Sequence, residues 1–198
     1  AERLSVKEYG IWGDYVLEAS NLLAALNRAV ATIHLHADKD TLAIRREPGS
    51  IFFRYTFGER TSIGYRQTAL AALGAMLSVP RHFLGSQWRP LSIGLDLGET
   101  SSEPRIEARV GTKVFCDRQC IFLEIANADL SIKNPNNTGG CTTIGDVKRA
   151  CRGGPPPKFV PFVRQLVLQR LGSEHISLDD VARIMGISRR TLQRRIDG

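Results

Sequence analysis

A chain of 198 residues, 42% of them hydrophobic, suits one sizeable domain plus a small second one. Its formal net charge of +7 favours an anionic partner. No stretch approaches the roughly 20 apolar residues that cross a bilayer, no basic-apolar-small leader opens the chain, and four cysteines at this length do not make a secreted disulfide framework; a cytoplasmic protein with no membrane partner is expected.

Tyr9–Gly13 (YGIWG) reads as a Gly-flanked aromatic turn. Asp14 or Ser20 then caps a helix whose period runs through Leu22, Leu23, Leu26 and Val30, giving a helix over Asn21–Thr32. His34 and His36 follow in what reads as a short extended link; with no third ligand nearby, exposed histidines are expected rather than a metal site. Thr41–Arg46 and Ile51–Phe57 alternate around a Glu47-Pro48-Gly49-Ser50 turn and predict a β-hairpin. Ser62–Ser78 predicts a helix that stops near Val79-Pro80. Phe83–Pro90 reads as a loop containing Trp88, and Leu91–Leu97 as a strand. Glu103–Val110 is a short helix, capped by Ser101 or Ser102. Lys113–Cys116 and Ile121–Ile125 flank Asp117-Arg118-Gln119 as a second hairpin.

This order predicts an α+β domain with a largely antiparallel sheet over residues 1–132. Among its aromatic and apolar residues, Trp12, Tyr15, Phe53, Tyr55 and Trp88 are candidates to line a pocket for a small molecule. Residues 133–158 are rich in Gly, Pro and Asn without apolar periodicity and read as an exposed linker, with one helical turn at Ile144–Cys151. Residues 159–198 then read as a small all-α unit, opened by an amphipathic helix at Phe159–Leu171. Basic residues concentrate here: from Lys158 to Gly198 there are eight Lys/Arg against four Asp/Glu.

The end of the chain, SLDDVARIMGISRRTLQRRIDG, parses as two short helices around a tight turn. Ser177 and Asp180 have capping-box spacing, and Leu178, Val181, Ala182 and Met185 form one apolar stripe. Gly186 supplies the turn, Ser188 the next N-cap, and Leu192 and Ile196 the next stripe. Helix, Gly-containing turn, helix is the signature of a helix-turn-helix. From Ser188 to Ile196 the second helix holds four arginines and no acid. Arg190, Gln193 and Arg194 share its outward face, where Arg pairs with guanine and Gln with adenine in a major groove. Ser188, Arg189 and Arg195 suit phosphates, which position without specifying.

SLDDVARIMGISRRTLQRRI resembles the first helix-turn-helix of the AraC/XylS-type transcription regulators, through Ser177-Leu178, Val181-Ala182, Gly186, Ser188 and Thr191-Leu192-Gln193-Arg194. The resemblance implies base reading by Arg190, Gln193 and Arg194. It also implies a partial, C-terminally truncated DNA-binding domain, because the family's domain holds two such motifs. The first 130 residues are similar to the arabinose-binding type of sensor domain in one branch of that family. The matching features are a G-x-x-G turn (Gly10, Gly13), Ser20–Leu26, an Ala-rich helix, the strand near Leu91 and the ending Val114–Leu123. The implied partners are double-stranded DNA, a small-molecule effector and a second copy in a homodimer, with no cofactor.

No G-x-S-x-G or phosphate-binding loop is present, and no nucleophile–base pair stands out, so an enzyme is not expected. The alternative is a redox or metal sensor acting through Cys116, Cys120, Cys141 and Cys151. Lys148, Arg149 and Arg152 around Cys151 would favour its thiolate.

Overall fold

A computed structural model describes residues 5–37, 39–60, 64–98, 103–136, 142–151, 177–179, 182 and 188–197. The chain divides into two compact units, 1–152 and 153–198.

The first unit begins with a 3-10 turn at Val6–Tyr9 that leads into α1 (Ile11–Leu17). The aromatic turn expected at Tyr9–Gly13 is therefore a corner between two helical pieces. Gly10 bends it at φ +62°, a conformation that costs glycine nothing. Gly13 faces the Val6 carbonyl so closely that a Cβ there would lie 1.9 Å from the oxygen. Glycine at both positions of the G-x-x-G motif lets α1 fold back against the 3-10 turn.

α2 (Leu22–His36) is capped by Asn21, whose Oδ1 accepts from the Ala24 N–H at 2.8 Å. Ser20 and Asp14 do not cap it, and it runs four residues beyond the expected end. His34 and His36 thus belong to its last turn, not to an extended link. Leu22, Ala25, Leu26, Ala29 and Ile33 give it one buried face.

α3 (Tyr65–Leu84) passes through Pro80, where the sequence predicted a stop. A proline inside a helix costs about 3 kcal/mol. The turn beyond it buries Phe83 to 4% exposure, and one such side chain offsets about 1.5–3 kcal/mol. Tertiary burial therefore carries the helix to Gly85. Trp88 sits in the loop beyond.

The described strands form one five-stranded mixed sheet in the order β1-β2-β5-β3-β4. They are β1 (Thr41–Glu47), β2 (Ser50–Thr56), β3 (Ser92–Gly94), β4 (Val114–Phe115) and β5 (Ile121–Ala126). β1 and β2 make the expected hairpin, closed by Pro48-Gly49 with Glu47 opposite Ser50. The second hairpin does not form. β4 pairs parallel with β3 after a crossover through α4 (Glu103–Val110), while β5 inserts antiparallel between β2 and β3. The cause is burial: Ile121, Leu123 and Ile125 are all fully buried, and a strand with that inner face belongs at the centre of a sheet. Together with Ile51, Phe53 and Ile93 they form the inner face on which α2 and α3 pack.

The segment read as an exposed linker from residue 133 is, where described, part of this unit. Asn134 is 7% exposed. Its Nδ2 donates to the carbonyls of Leu17 at 2.7 Å and Ala19 at 3.0 Å, satisfying two groups at the end of α1. α5 (Ile144–Ala150) carries a complete capping box between Thr143 and Asp146 and buries Val147 in the core, against α1. Polarity of sequence had hidden these contacts, because Asn134 and Thr143 are buried or ordered through backbone hydrogen bonds rather than through apolar period. Residues 137–141 and 152–158 of the expected linker lie outside the described residues.

In the second unit the described residues include Leu178, Asp179 and Ala182 in helical conformation and α6 (Arg189–Asp197). The helix expected at Phe159–Leu171 lies outside the described residues, as do Asp180 and Gly186.

Candidate functional site

The first unit holds a half-open cavity of about 60 Å³ between the 3-10 turn, α1, α2, α3 and the β1–β2 hairpin. Each element contributes the side chains its period places inward: Val6 and Tyr9, Trp12, Ile33 and His36, Met76 and Val79, then Leu42, Phe53 and Tyr55. Ala29, Ala72 and Ala75 leave the space by their small size.

Of the five residues singled out for a pocket, Trp12, Phe53 and Tyr55 line this cavity. Tyr15 and Trp88 do not. Tyr15 lies beneath the Arg28 guanidinium, 4.6 Å from ring centroid to Cζ, and its carbonyl accepts from Arg28 at 2.7 Å. Trp88 donates from Nε1 to Asp129 at 2.9 Å. Both are structural contacts of loops and helix ends. His36 and Met76 were missed: His36 because the helix was ended too early, Met76 because an apolar helical residue carries no signal of what it faces.

The polar groups at the cavity are few and mostly engaged. Trp12 Nε1 donates to Thr32 Oγ1 at 2.9 Å. The Tyr55 hydroxyl donates to Asp40 Oδ2 at 2.7 Å, and Asp40 Oδ1 accepts from the Gly58 N–H at 3.0 Å. Burial, and then the Asp40 charge, push the Tyr55 hydroxyl far above its ordinary range. His36 stacks on Trp12, with centroids 4.6 Å apart and planes 13° apart, and tilts against Tyr9 at 4.6 Å. Burial lowers its pKa to about 4, against a smaller opposing pull from Asp40. At neutral pH it is an uncharged imidazole, able to donate and to accept.

Away from the cavity, Tyr65 donates to Asp96 Oδ2, and Arg60 Nε lies 3.8 Å from the same oxygen. Phe57 separates Tyr65 from Tyr55.

Among the described residues no group of three or more metal-ligating side chains converges, and Cys120 and Cys151 are free thiols. Cys120 is buried and accepts from Arg54 Nε at 3.2 Å. Burial raises the Cys151 thiol pKa, so the thiolate expected from its basic neighbours is disfavoured instead. Cys141 lies outside the described residues.

In the second unit Ser188 caps α6: its Oγ accepts from the Thr191 N–H at 3.2 Å and its carbonyl from the Leu192 N–H at 2.9 Å. Leu192 and Ala182 are buried, whereas Leu178, the first residue of the stripe expected in the preceding helix, is 39% exposed. Ser188, Arg190 and Gln193 are exposed, and with Arg189 and Thr191 they line an open hollow. Arg189 is held at 3.2 Å by Asp179, both more than half exposed. Such a pair is weak in water, worth about 0–1 kcal/mol. The backbone of Arg194 and Arg195 continues the helix; their side chains lie outside the described residues.

Residues 1–134 match the family model for the arabinose-binding domain of AraC transcription regulators, N-terminal part. The crystal structure of the transcriptional regulator CdpR from Pseudomonas aeruginosa is similar in fold. The likeness covers 97% of this chain and 64% of that one, at TM-score 0.56 and 18% identity. The chain thus spans less than two thirds of that regulator's length. No curated protein matches. Among the described residues no helix is long and apolar enough to cross a membrane.

Proposed function

Because this chain belongs to the AraC family of transcription regulators, we propose that it is a ligand-responsive DNA-binding regulator. The first unit is its sensor. It binds a small effector in the cavity lined by Trp12, Phe53 and Tyr55 and supplies the contact of a homodimer. The sensor runs as a compact body to Arg152, a connecting segment follows, and residues 159–198 carry the first helix-turn-helix of a DNA-binding domain. In that motif α6 enters a major groove. Arg190, Gln193 and Arg194 read base edges, while Ser188, Arg189 and Arg195 hold phosphates. The exposed Asp179 partner of Arg189 is readily exchanged for a phosphate, since the pair is screened and weak.

The observation that carries the ligand-responsive reading is the half-open, mostly apolar cavity in the family's sensor domain. Most single-domain cores close such a gap, and three alanines on two facing helices keep this one open. The cysteine-sensor alternative is less favoured: among the described residues no three metal-ligating side chains converge, and burial shifts Cys151 away from reactivity.

The test is a promoter reporter under full-length protein, comparing wild type, Ala75→Phe and Arg190→Ala. The reading expects Ala75→Phe to fix the output at one level whatever the inducing condition, and Arg190→Ala to abolish it. Normal induction in Ala75→Phe would remove the cavity from the mechanism.

A further inference from the structure

We propose that the cavity takes an apolar molecule with a single non-anionic polar end, such as a hydroxyl, and excludes sugars and carboxylates. The proposal rests on the cavity being the effector site and states what chemistry that site accepts.

Few polar groups face the cavity. Four lining residues carry polar side-chain atoms: Tyr9, Trp12, His36 and Tyr55. Trp12 and Tyr55 already spend their donors on Thr32 and Asp40, and Tyr9 has an interaction of its own. The His36 ring is held in place by stacking, with no hydrogen bond to its nitrogens among the described residues. His36 is therefore the open donor position for a ligand, at the half-buried end of α2, while the Tyr55 oxygen keeps only acceptor capacity. A sugar would bring a hydroxyl on nearly every carbon into walls of Ile33, Leu42, Phe53, Met76 and Val79, where each loses water without gaining a partner. The name of the family's domain is thus a poor guide to this chain's ligand.

Charge removes the anions. Asp40 is 5% exposed, shares Tyr55 with the cavity wall, and its field reaches His36. A carboxylate at His36 would face that buried negative charge. The imidazole offers no compensating cation, because burial keeps it neutral at physiological pH.

Size sets the remaining condition. A volume of about 60 Å³ is below the ~150 Å³ apolar cavity that admits benzene. A ligand of six or so heavy atoms must move one wall, and the unbranched Met76 is the side chain suited to yield.

The test keeps the tail constant and changes the head. 1-Hexanol, hexanoate and L-arabinose are titrated into the protein carrying Trp88→Phe, so that Trp12 is the reporting tryptophan, with thermal melting in parallel. Saturable quenching of Trp12 and a raised melting midpoint with 1-hexanol, at least tenfold weaker binding of hexanoate and no effect of L-arabinose are expected. His36→Phe, which keeps the stack and removes the polar position, should weaken 1-hexanol about tenfold. Hexanoate or L-arabinose binding as tightly as the alcohol overturns the proposal, and so does a failure of 1-hexanol to saturate. Ala75→Phe, with Ala72→Leu as a second filling variant should the first melt early, separates this from the effector reading. If filling abolishes 1-hexanol binding yet the promoter reporter responds normally, the effector reading fails and the ligand chemistry stands. If filling abolishes both regulation and L-arabinose binding, the ligand chemistry fails and the effector reading stands.

Discussion

At the scale of single residues, environment rather than identity decides chemistry, and His36 is the clearest instance. An imidazole free in the unfolded chain titrates near 6.5, and the folded one at about 4. Between those values the unfolded state binds more protons, so stability falls as pH drops through the window from 6.5 towards 4 and is unaffected by this group above it. The full shift corresponds to about 3 kcal/mol, as an order of magnitude. Urea unfolding of wild type and His36→Phe at pH 7.5, 5.5 and 4.5 should show a gap between the two proteins that changes by most of that amount; parallel pH profiles would place His36 in water. Gly13 makes a second residue-scale prediction. A Cβ meeting the Val6 carbonyl at 1.9 Å forces α1 off the 3-10 turn, and Gly13→Ala should cost about 1–3 kcal/mol. An unchanged urea midpoint would show that the two pieces part easily.

Elements follow their sequence period until packing overrules it. Pro80 marks a stop by propensity, yet α3 continues because the turn beyond it reaches the core. α5 looked like one stray turn in a linker, yet Val147 makes it a structural part of the first unit. Val147→Ala removes two methyl-sized groups at about 0.8 kcal/mol each plus a cavity term, so the first unit should lose about 2 kcal/mol. A change below about 0.5 kcal/mol in its unfolding transition would return α5 to the linker. For α6 the decisive question is which arginines read bases. On the full-length protein, Arg194→Ala should cost about 1–3 kcal/mol and relax preference at one operator position. Arg195→Ala should weaken specific and scrambled DNA alike and lower the salt slope by about one. The reverse pattern, in anisotropy titrations across a salt series, would mean that the helix presents its opposite face.

At the scale of the whole molecule, the net charge of +7 supports DNA approach but not recognition, which the outward face of α6 supplies in this reading. Two copies on paired half-sites gain affinity through effective concentration. In the proposed dimer the first unit, as the larger body, would supply the contact. Sedimentation equilibrium at micromolar protein should return a dimer mass that survives deletion of residues 153–198; a monomer mass independent of concentration would count against it.

Much of this protein was legible in its residues alone. The hairpin at β1–β2, the cores of α2 and α3, the bounds of α4 and the Ser188 cap with Leu192 behind it all depend on local period and capping, which sequence carries directly. Trp12, Phe53 and Tyr55 were legible as large apolar candidates, whereas their convergence was not. That required α1, α2 and the hairpin to meet, and meeting is a matter of long-range contacts. The same holds for β5. Its alternation announced a strand, but only competition for burial placed it between β2 and β3 and left β4 to pair with β3. Asn134, His36 and α5 were misread for one reason: their partners are distant in sequence, on Leu17 and Ala19, on Tyr9 and Trp12, and on α1. Periodicity and caps are local quantities, so the sequence determined what each element is. Burial is a property of the assembled chain, so the tertiary structure decided where each element ends and what it faces.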